Sequence, residues 1–314
     1  MTGVLMWPKA ALRRTLLQRS LVSELIVTLD WYRDGPLGLL LLARDEADII
    51  RENITFHLER GVDFVVVTDN GSVDGTRDIL AEFSRHANVL VVDEPGEVYD
   101  QAQWVGRMFD LAKRHFRAKW VIPADADELW FPADGRYRTD LEKAGNVVRV
   151  FWHNMVPSVG TRWQEFSMVG DMWTYNSRSS KVLCATTGFR DISVGNHDVR
   201  IVPRVEVEST NLRIYHYPLR SYEQFERKVV NGGRALERNA LAPKSWGFHW
   251  RDWYAAYQAG GLRSIYEGLS GADTGRPDQT MARYFERARA GISTTTEHVP
   301  RVDVPMDVRN LQLG

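Results

Sequence analysis

From residue 37 onward, short apolar runs alternate with segments whose apolar positions recur every three or four residues. Leu37 to Ala43 is continuously apolar and short enough for a strand buried on both faces. Glu46 to Arg60 follows with Ile49, Ile50, Ile54 and Leu58 at helical spacing, and Gly61 supplies a stop. Phe64 to Thr68 reads as a valine-rich strand, Asp69-Asn70-Gly71-Ser72 as a loop, and Asp74 to about His86 as a helix burying Ile79, Leu80 and Phe83. A third strand spans Val89 to Val92. A helix from about Asp100 to Phe116 carries Trp104, Met108, Phe109 and Ala112 on one face, and Trp120-Val121-Ile122 enters a fourth strand. Buried strands joined by helical crossovers predict an α/β fold, a mainly parallel sheet flanked by helices.

The second half is less regular. Val147 to Trp152, Lys181 to Ala185, Val199 to Val207 and Leu212 to Tyr217 read as strands, and Val156 to Thr174 as a long aromatic-rich loop. Ser221-Tyr222-Glu223-Gln224 has the spacing of a capping box, so a helix should begin there. Beyond about Ala240 the chain reads as helical, with turns at Ala259-Gly260-Gly261 and from Gly271 to Pro277.

Ligands on open parallel sheets bind beyond the carboxyl ends of the strands. Those ends are Arg44-Asp45-Glu46, Asp69-Asn70, Asp93-Glu94 and Asp125-Ala126-Asp127-Glu128. Four apolar strands discharging into acidic or polar clusters favour a cation-assisted site over a merely solvated rim. Asp125 and Asp127 are two apart, and in extended backbone alternate side chains share a face, so both can converge on one ion. Hard carboxylate oxygens suit Mg²⁺ or Mn²⁺. Such a pair is common by chance; its apolar flanks, Trp120-Val121-Ile122 and Leu129-Trp130-Phe131, argue against a simply hydrated acidic turn.

Composition narrows the function classes. The 314 residues are 44% hydrophobic and 26% charged with a net charge of −1, which gives nucleic acid no broad electrostatic attraction. The single cysteine, Cys184, lies in an apolar stretch and reads as a buried structural thiol. Without an apolar run of about 18 residues a spanning helix is not expected. Lys9, Arg13, Arg14 and Arg19 interrupt any secretory signal, so the cytoplasm is the expected compartment. Residues 10–29, before the Asp34-Gly35-Pro36 turn, mix basic and apolar groups at helical spacing. They form either a helix on the domain's own back face or a peripheral membrane contact.

The stretch Asp69-Asn70-Gly71-Ser72-Val73-Asp74-Gly75-Thr76 resembles the Ser-x-Asp-Gly-Thr signature of family 2 glycosyltransferases. Leu42 to Ala47, Trp120 to Phe131, Gly195-Asn196-His197, Tyr215-His216-Tyr217-Pro218 and Arg220-Ser221 with Phe225 and Lys228 extend the resemblance in matching order over roughly residues 38 to 232. It implies a GT-A-like catalytic domain over 37–235, between an N-terminal helical segment (1–36) and a helical C-terminal extension (236–314). It further implies inverting transfer of a hexosyl group from a UDP- or GDP-linked sugar to a saccharide or lipid-linked hydroxyl, with Mn²⁺ or Mg²⁺ as cofactor. Carried over residue by residue, Arg44, Glu46, Asp69, Asn70, Gln103 and Asp125 line the donor pocket, and Asp125 and Asp127 serve the metal. His216 completes the metal shell unless it is a core histidine; His197 is the other candidate, or touches the acceptor, or is simply exposed. Arg220 and Lys228 meet the diphosphate or are solvated helix charges. The general base falls to Glu165 or Asp171, although the family's Glu-Asp pair is missing there. Trp152, Trp163, Trp173 and Tyr175 stack on a sugar or belong to the core. His57, His86 and His115 lie on predicted helices and read as surface residues. Two other readings stand beside this one. A sugar-phosphate nucleotidyltransferase would carry a glycine-rich loop after strand one, absent from Ala43-Arg44-Asp45-Glu46, and a non-catalytic binding module would keep only the fold.

Overall fold

A computed structural model describes residues 35–292 and 294, except 96–99, 144, 158–160, 171–179, 239–247, 271–275 and 293. The basic and apolar segment 10–29, Asp171, Trp173 and Tyr175 lie outside the described residues.

Strands β1 (Leu37–Ala43), β2 (Phe64–Asp69), β3 (Val89–Asp93) and β4 (Trp120–Asp125) form a parallel sheet in the order β3-β2-β1-β4. Their crossovers are α1 (Ile50–Glu59), α2 (Thr76–Phe83) and α3 (Gln101–Phe116). β1 and β2 are buried almost throughout, as continuous apolar runs require when helices cover both faces. The register aligns the acidic tips: Ala43 sits opposite Asp69, Asp69 opposite Asp93, and Leu42 opposite Asp125.

Beyond β4 the sheet becomes mixed. β5 (Glu128–Pro132) follows the acidic motif, and after a short helix α4 (Arg138–Leu141) comes the long β6 (Val147–Met155). β7 (Met168–Gly170) and β8 (Ser180–Ala185) both run antiparallel to β6, and β8 links it to β4. β9 (Phe189–Ile192) and β10 (Val199–Ile201) form a separate ribbon. β11 (Glu206–Glu208) and β12 (Leu212–His216) lie parallel to β6, and β12 also pairs antiparallel with β5. The strand expected from Val199 to Val207 is therefore two, with Pro203 between them, which has no N–H to donate to a ladder. β5 and β7 are strands the hydrophobic pattern did not indicate.

Helix α5 (Tyr222–Arg238) begins at the anticipated capping box: Ser221 Oγ accepts from Gln224 N at 3.1 Å, and the Gln224 amide oxygen accepts from Arg220 N at 3.2 Å. With α6 (Phe248–Gln258) and α7 (Leu262–Ser270) it encloses a cluster built on Leu219, Phe225, Val229 and Leu262. After a short strand β13 (Arg276–Pro277), α8 (Thr280–Arg289) packs back under β5 and β12, sharing a core of Phe56, Leu129, Tyr215, Tyr217 and Phe285. Cys184 is buried in the main sheet, which pushes its thiol pKa up. No helix among the described residues is long and apolar enough to cross a membrane.

Candidate active site

The first two strand tips are sewn together by the Ser-x-Asp-Gly-Thr stretch. Ser72 Oγ accepts from Asp45 N (2.9 Å), Thr76 Oγ1 from Glu46 N (2.9 Å), and Asp74 from Ala47 N (3.1 Å). In return Asp45 Oδ1 accepts from Val73 N at 2.8 Å, while Asp45 itself holds a left-handed φ of 56°. Gly75, at φ +102°, turns the chain into α2 with a backbone that other residues rarely adopt. Asp69 is buried and accepts from Ser72, and burial raises its carboxyl pKa. Arg44 donates to Asn70 Oδ1 at 3.1 Å, and Asn70 donates to Glu94 O at 3.0 Å, so these expected donor-pocket residues do gather at one sheet edge.

The backbone after β4 is held from below by α1. Asn53 donates to both Ala126 O and Glu128 O at 2.8 Å. One turn on, His57 accepts at Nε2 from Trp130 N at 3.2 Å, while its Nδ1 donates to Asn53 O at 2.8 Å. His57 is thus a buried core histidine, contrary to the surface position expected, and burial lowers its pKa to about 4. His86 is exposed as expected and His115 partly so.

Asp125 and Asp127 take different partners. Asp125 binds Lys181 Nζ at 2.7 Å and Gln101 Nε2 at 3.2 Å. Lys181 also contacts Glu128 and lies 5.6 Å over the Trp152 ring. Burial raises the Glu128 pKa to about 7 against the pull of Lys181. Burial opposes the Lys181 charge, but Asp125 and Glu128 outweigh it and push the ammonium's pKa up. Gln101, whose side-chain amide oxygen accepts from Gly195 N at 2.7 Å, is buried beside Asp125, whereas Gln103 is exposed. The N-cap Asp100, accepting from Gln103 N at 3.2 Å, sets a helical phase in which residue 101 faces the sheet and residue 103 does not.

Asp127 sits in a second, adjoining group. Its Oδ2 contacts Lys228 Nζ, lies 3.5 Å from His216 Nε2 and 4.0 Å from Arg220 Nη1. Burial raises the Asp127 pKa, yet Lys228, His216 and Arg220 together hold it well below the usual carboxylate range. β12 delivers His216 by pairing it opposite Glu128, and Tyr217 N donates to Asp127 O at 2.8 Å. His216 Nδ1 donates to Asn154 Oδ1 at 2.7 Å, and its ring stacks on Trp152 with centroids 5.2 Å apart. The Nδ1 hydrogen bond to Asn154 turns Nε2 toward the carboxylate.

Arg220 is engaged inside the protein through four of its five N–H donors, and its Nη1 also lies 4.0 Å from Asp127 Oδ2. Its Nε and Nη2 bind Asp48 at 2.7 and 2.9 Å, Nη1 binds Tyr217 O at 2.9 Å, Nη2 also binds Glu46, and the side chain is 0% exposed. It is an internal clamp between the β1 tip and the β12–α5 junction. His197 bonds Ser180 O through Nδ1 at 3.0 Å and meets the edge of Trp152, on the Asp125 side of the site. Glu165 pairs with Arg162 at 2.6 Å and Arg289 at 3.4 Å, and these arginines hold its pKa low. Trp163 belongs to the core against Tyr217 and Phe285.

Among the described residues no group of three or more His, Cys, Asp or Glu side chains is arranged to hold a metal. Asp127 and His216 nevertheless fit as two donors to one divalent ion. Their facing atoms are 3.5 Å apart, and Asn154 behind His216 fixes the imidazole as supporting groups at metal sites do. Mg²⁺-type ions at phosphate sites commonly take only one or two protein carboxylates, the substrate supplying the rest.

No family model matches the chain, and no curated protein matches it. Solved structures similar to it include residues 1–349 of S. aureus TarS in complex with UDP. That structure is 12% identical, covering 85% of this chain and 95% of that one, with a TM-score of 0.39. Glucosyl-3-phosphoglycerate synthase from Mycobacterium tuberculosis, in complex with Mn²⁺, UDP and glucosyl-3-phosphoglycerate, is 16% identical over 40% of this chain and 47% of that one, with a TM-score of 0.29. HddC from Yersinia pseudotuberculosis is 9% identical over 60% of this chain and 96% of that one, with a TM-score of 0.30. These likenesses are too loose to bear on substrate or mechanism, which rest on the site itself.

Proposed function

We propose that the chain is a metal-dependent glycosyltransferase of the GT-A-like type, moving a hexosyl group from a nucleoside diphosphate sugar to a saccharide or lipid-linked hydroxyl with inversion. The observation that carries this reading is the buried Asp127 carboxylate facing His216 Nε2 and Lys228 at the carboxyl edge of the parallel strands. The ordered family 2 motifs along the sequence support it independently.

Asp127 and His216 hold the divalent ion, and Lys228 adds positive charge for the diphosphate. When bound, the ion supplies Lewis-acid stabilisation of the charge on the departing nucleoside diphosphate. Asp69, Asn70 and Arg44 receive the nucleoside. Asp125, tied to Lys181 and Gln101, would serve the ribose side of the pocket or lend the ion a second carboxylate. His197 lies on that same side, toward the sugar. Glu165, paired with Arg162 and Arg289, and Asp171 are the two candidates for the base that deprotonates the acceptor. The cytoplasm, where sugar nucleotides are made, is the compartment this reading favours, with residues 10–29 as the segment to test for membrane contact.

Calorimetry of UDP and of GDP, each with and without Mn²⁺, tests the assignment on wild type and Asp127→Asn. Metal-dependent nucleotide binding should appear in wild type and be lost in the variant; equal binding in both refutes the metal role. Slow release of nucleoside diphosphate from a sugar nucleotide identifies glycosyl transfer. Consumption of a nucleoside triphosphate with release of pyrophosphate would identify nucleotidyl transfer instead.

A further inference from the structure

One contact of Asp127 has no part in holding an ion. The oxygen that faces His216 Nε2 at 3.5 Å is the same Oδ2 that accepts a hydrogen bond from Lys228 Nζ. Two cations border this carboxylate, and they differ in freedom. Arg220 is fully enclosed with every nitrogen engaged, whereas the Lys228 side chain is 30% exposed and its ammonium contacts Asp127 and, at 3.6 Å, Glu46. A lysine is a point charge on a flexible four-carbon stem, so its head can change partner without moving α5. Glu46, Asp48 and Asp127 carry three negative charges against Arg220 and Lys228. Withdrawing Lys228 leaves two of them uncompensated, the deficit a divalent cation makes good.

We propose that Lys228 is an exchangeable counterion of Asp127. It covers the metal-facing oxygen and passes to the diphosphate when the donor binds, so that ion and nucleotide enter together. The proposal rests on the glycosyltransferase reading only in pairing a divalent ion with a diphosphate at Asp127. Without nucleotide, an incoming cation must displace the ammonium from its carboxylate into water. A bound diphosphate offers the ammonium a new anionic partner within reach, and each ligand then removes the obstacle to the other. Such coupling is reciprocal: the factor by which nucleotide tightens the metal is the factor by which metal tightens the nucleotide.

The test uses the full chain, Mn²⁺ read by the electron paramagnetic resonance of the free ion, and UDP and GDP as nucleotide probes. Wild type should bind Mn²⁺ weakly alone and at least about tenfold more tightly with saturating nucleoside diphosphate. Lys228→Gln should bind Mn²⁺ alone about tenfold more tightly than wild type and show a smaller gain from nucleotide. Lys228→Met, which keeps the stem's packing, gives the same readout if the glutamine variant does not fold, and the wild-type coupling needs no variant at all. Equal Mn²⁺ affinities in wild type and variant, or no coupling in wild type, overturn the proposal while Asp127-dependent Mn²⁺ binding persists. Loss of all Asp127-dependent Mn²⁺ binding, with or without nucleotide, overturns the metal reading beneath it.

Discussion

Replacing Arg220 by methionine removes a cation on which three carboxylates depend. Of these, Asp127 is 2% exposed at the side chain, Glu46 9% and Asp48 34%. Breaking a buried ion pair by deleting one partner costs roughly 3–5 kcal/mol, because a charge is left in low dielectric without compensation. The Asp48 share is discounted for solvent screening. Lys228 still stands beside both Asp127 and Glu46 and offsets part of the rest. The unpaired Tyr217 carbonyl adds about 1 kcal/mol. The net loss is therefore about 4 kcal/mol, equivalent to a melting temperature lower by roughly 6 °C for a chain of 314 residues. Urea unfolding followed by far-UV circular dichroism, with an unchanged denaturant slope, measures it. The pH dependence sharpens the test. Burial raises the Glu46 pKa above its ordinary value, and Arg220 is the largest influence lowering it. Without Arg220 the folded-state pKa rises further above the unfolded one, so the folded variant binds the extra proton as pH falls. The deficit against wild type should shrink from pH 8 toward pH 5.5. A loss under about 1 kcal/mol, or a deficit that widens on acidification, would refute the clamp.

Two other outcomes follow from the site's supports. His57 is buried with a pKa lowered to about 4, so its unfolded form takes up a proton first and stability should fall as pH drops from about 6.5 toward 4. His57→Leu should flatten that part of the profile while costing about 1–3 kcal/mol at neutral pH for the unpaired Trp130 N–H; an acid limb identical to wild type contradicts the assignment. Asn154→Ala leaves the His216 ring without its Nδ1 partner and should weaken Mn²⁺ in the nucleotide-bound protein by roughly 10–100-fold with little change in melting temperature. An unchanged Mn²⁺ affinity would mean that His216 does not face the ion.

The four parallel strands were legible because residues buried on both faces must be apolar in unbroken runs, and β1 to β4 lie where those runs lie. The capping box was legible because it is a local pattern, closed within residues 220–224. β5 was not: Leu129-Trp130-Phe131 is too short a run to announce a strand, and its partner β12 is more than eighty residues away. His57 looked like a surface residue since its role depends on a backbone N–H at Trp130, although the spacing of Asn53 and His57 on the apolar face with Ile50 and Ile54 was a usable signal. Lys181 was similarly hidden; a lysine heading the apolar strand Val182-Leu183-Cys184-Ala185 is the trace it left.

What this sequence determines alone is the set of short-range choices: which stretches are strands or helices, where the capping and turn residues sit, and that acidic residues gather at one end of the parallel strands. Side-chain periodicity and local hydrogen bonding carry that information within a few residues. Which carboxylate meets which cation was decided by the tertiary structure. Asp125 and Asp127, neighbours in the chain, belong to different charge groups because β8 brings Lys181 to one while β12 and α5 bring His216 and Lys228 to the other. Electrostatic pairing depends on distance and burial in space, and no spacing along the chain encodes either.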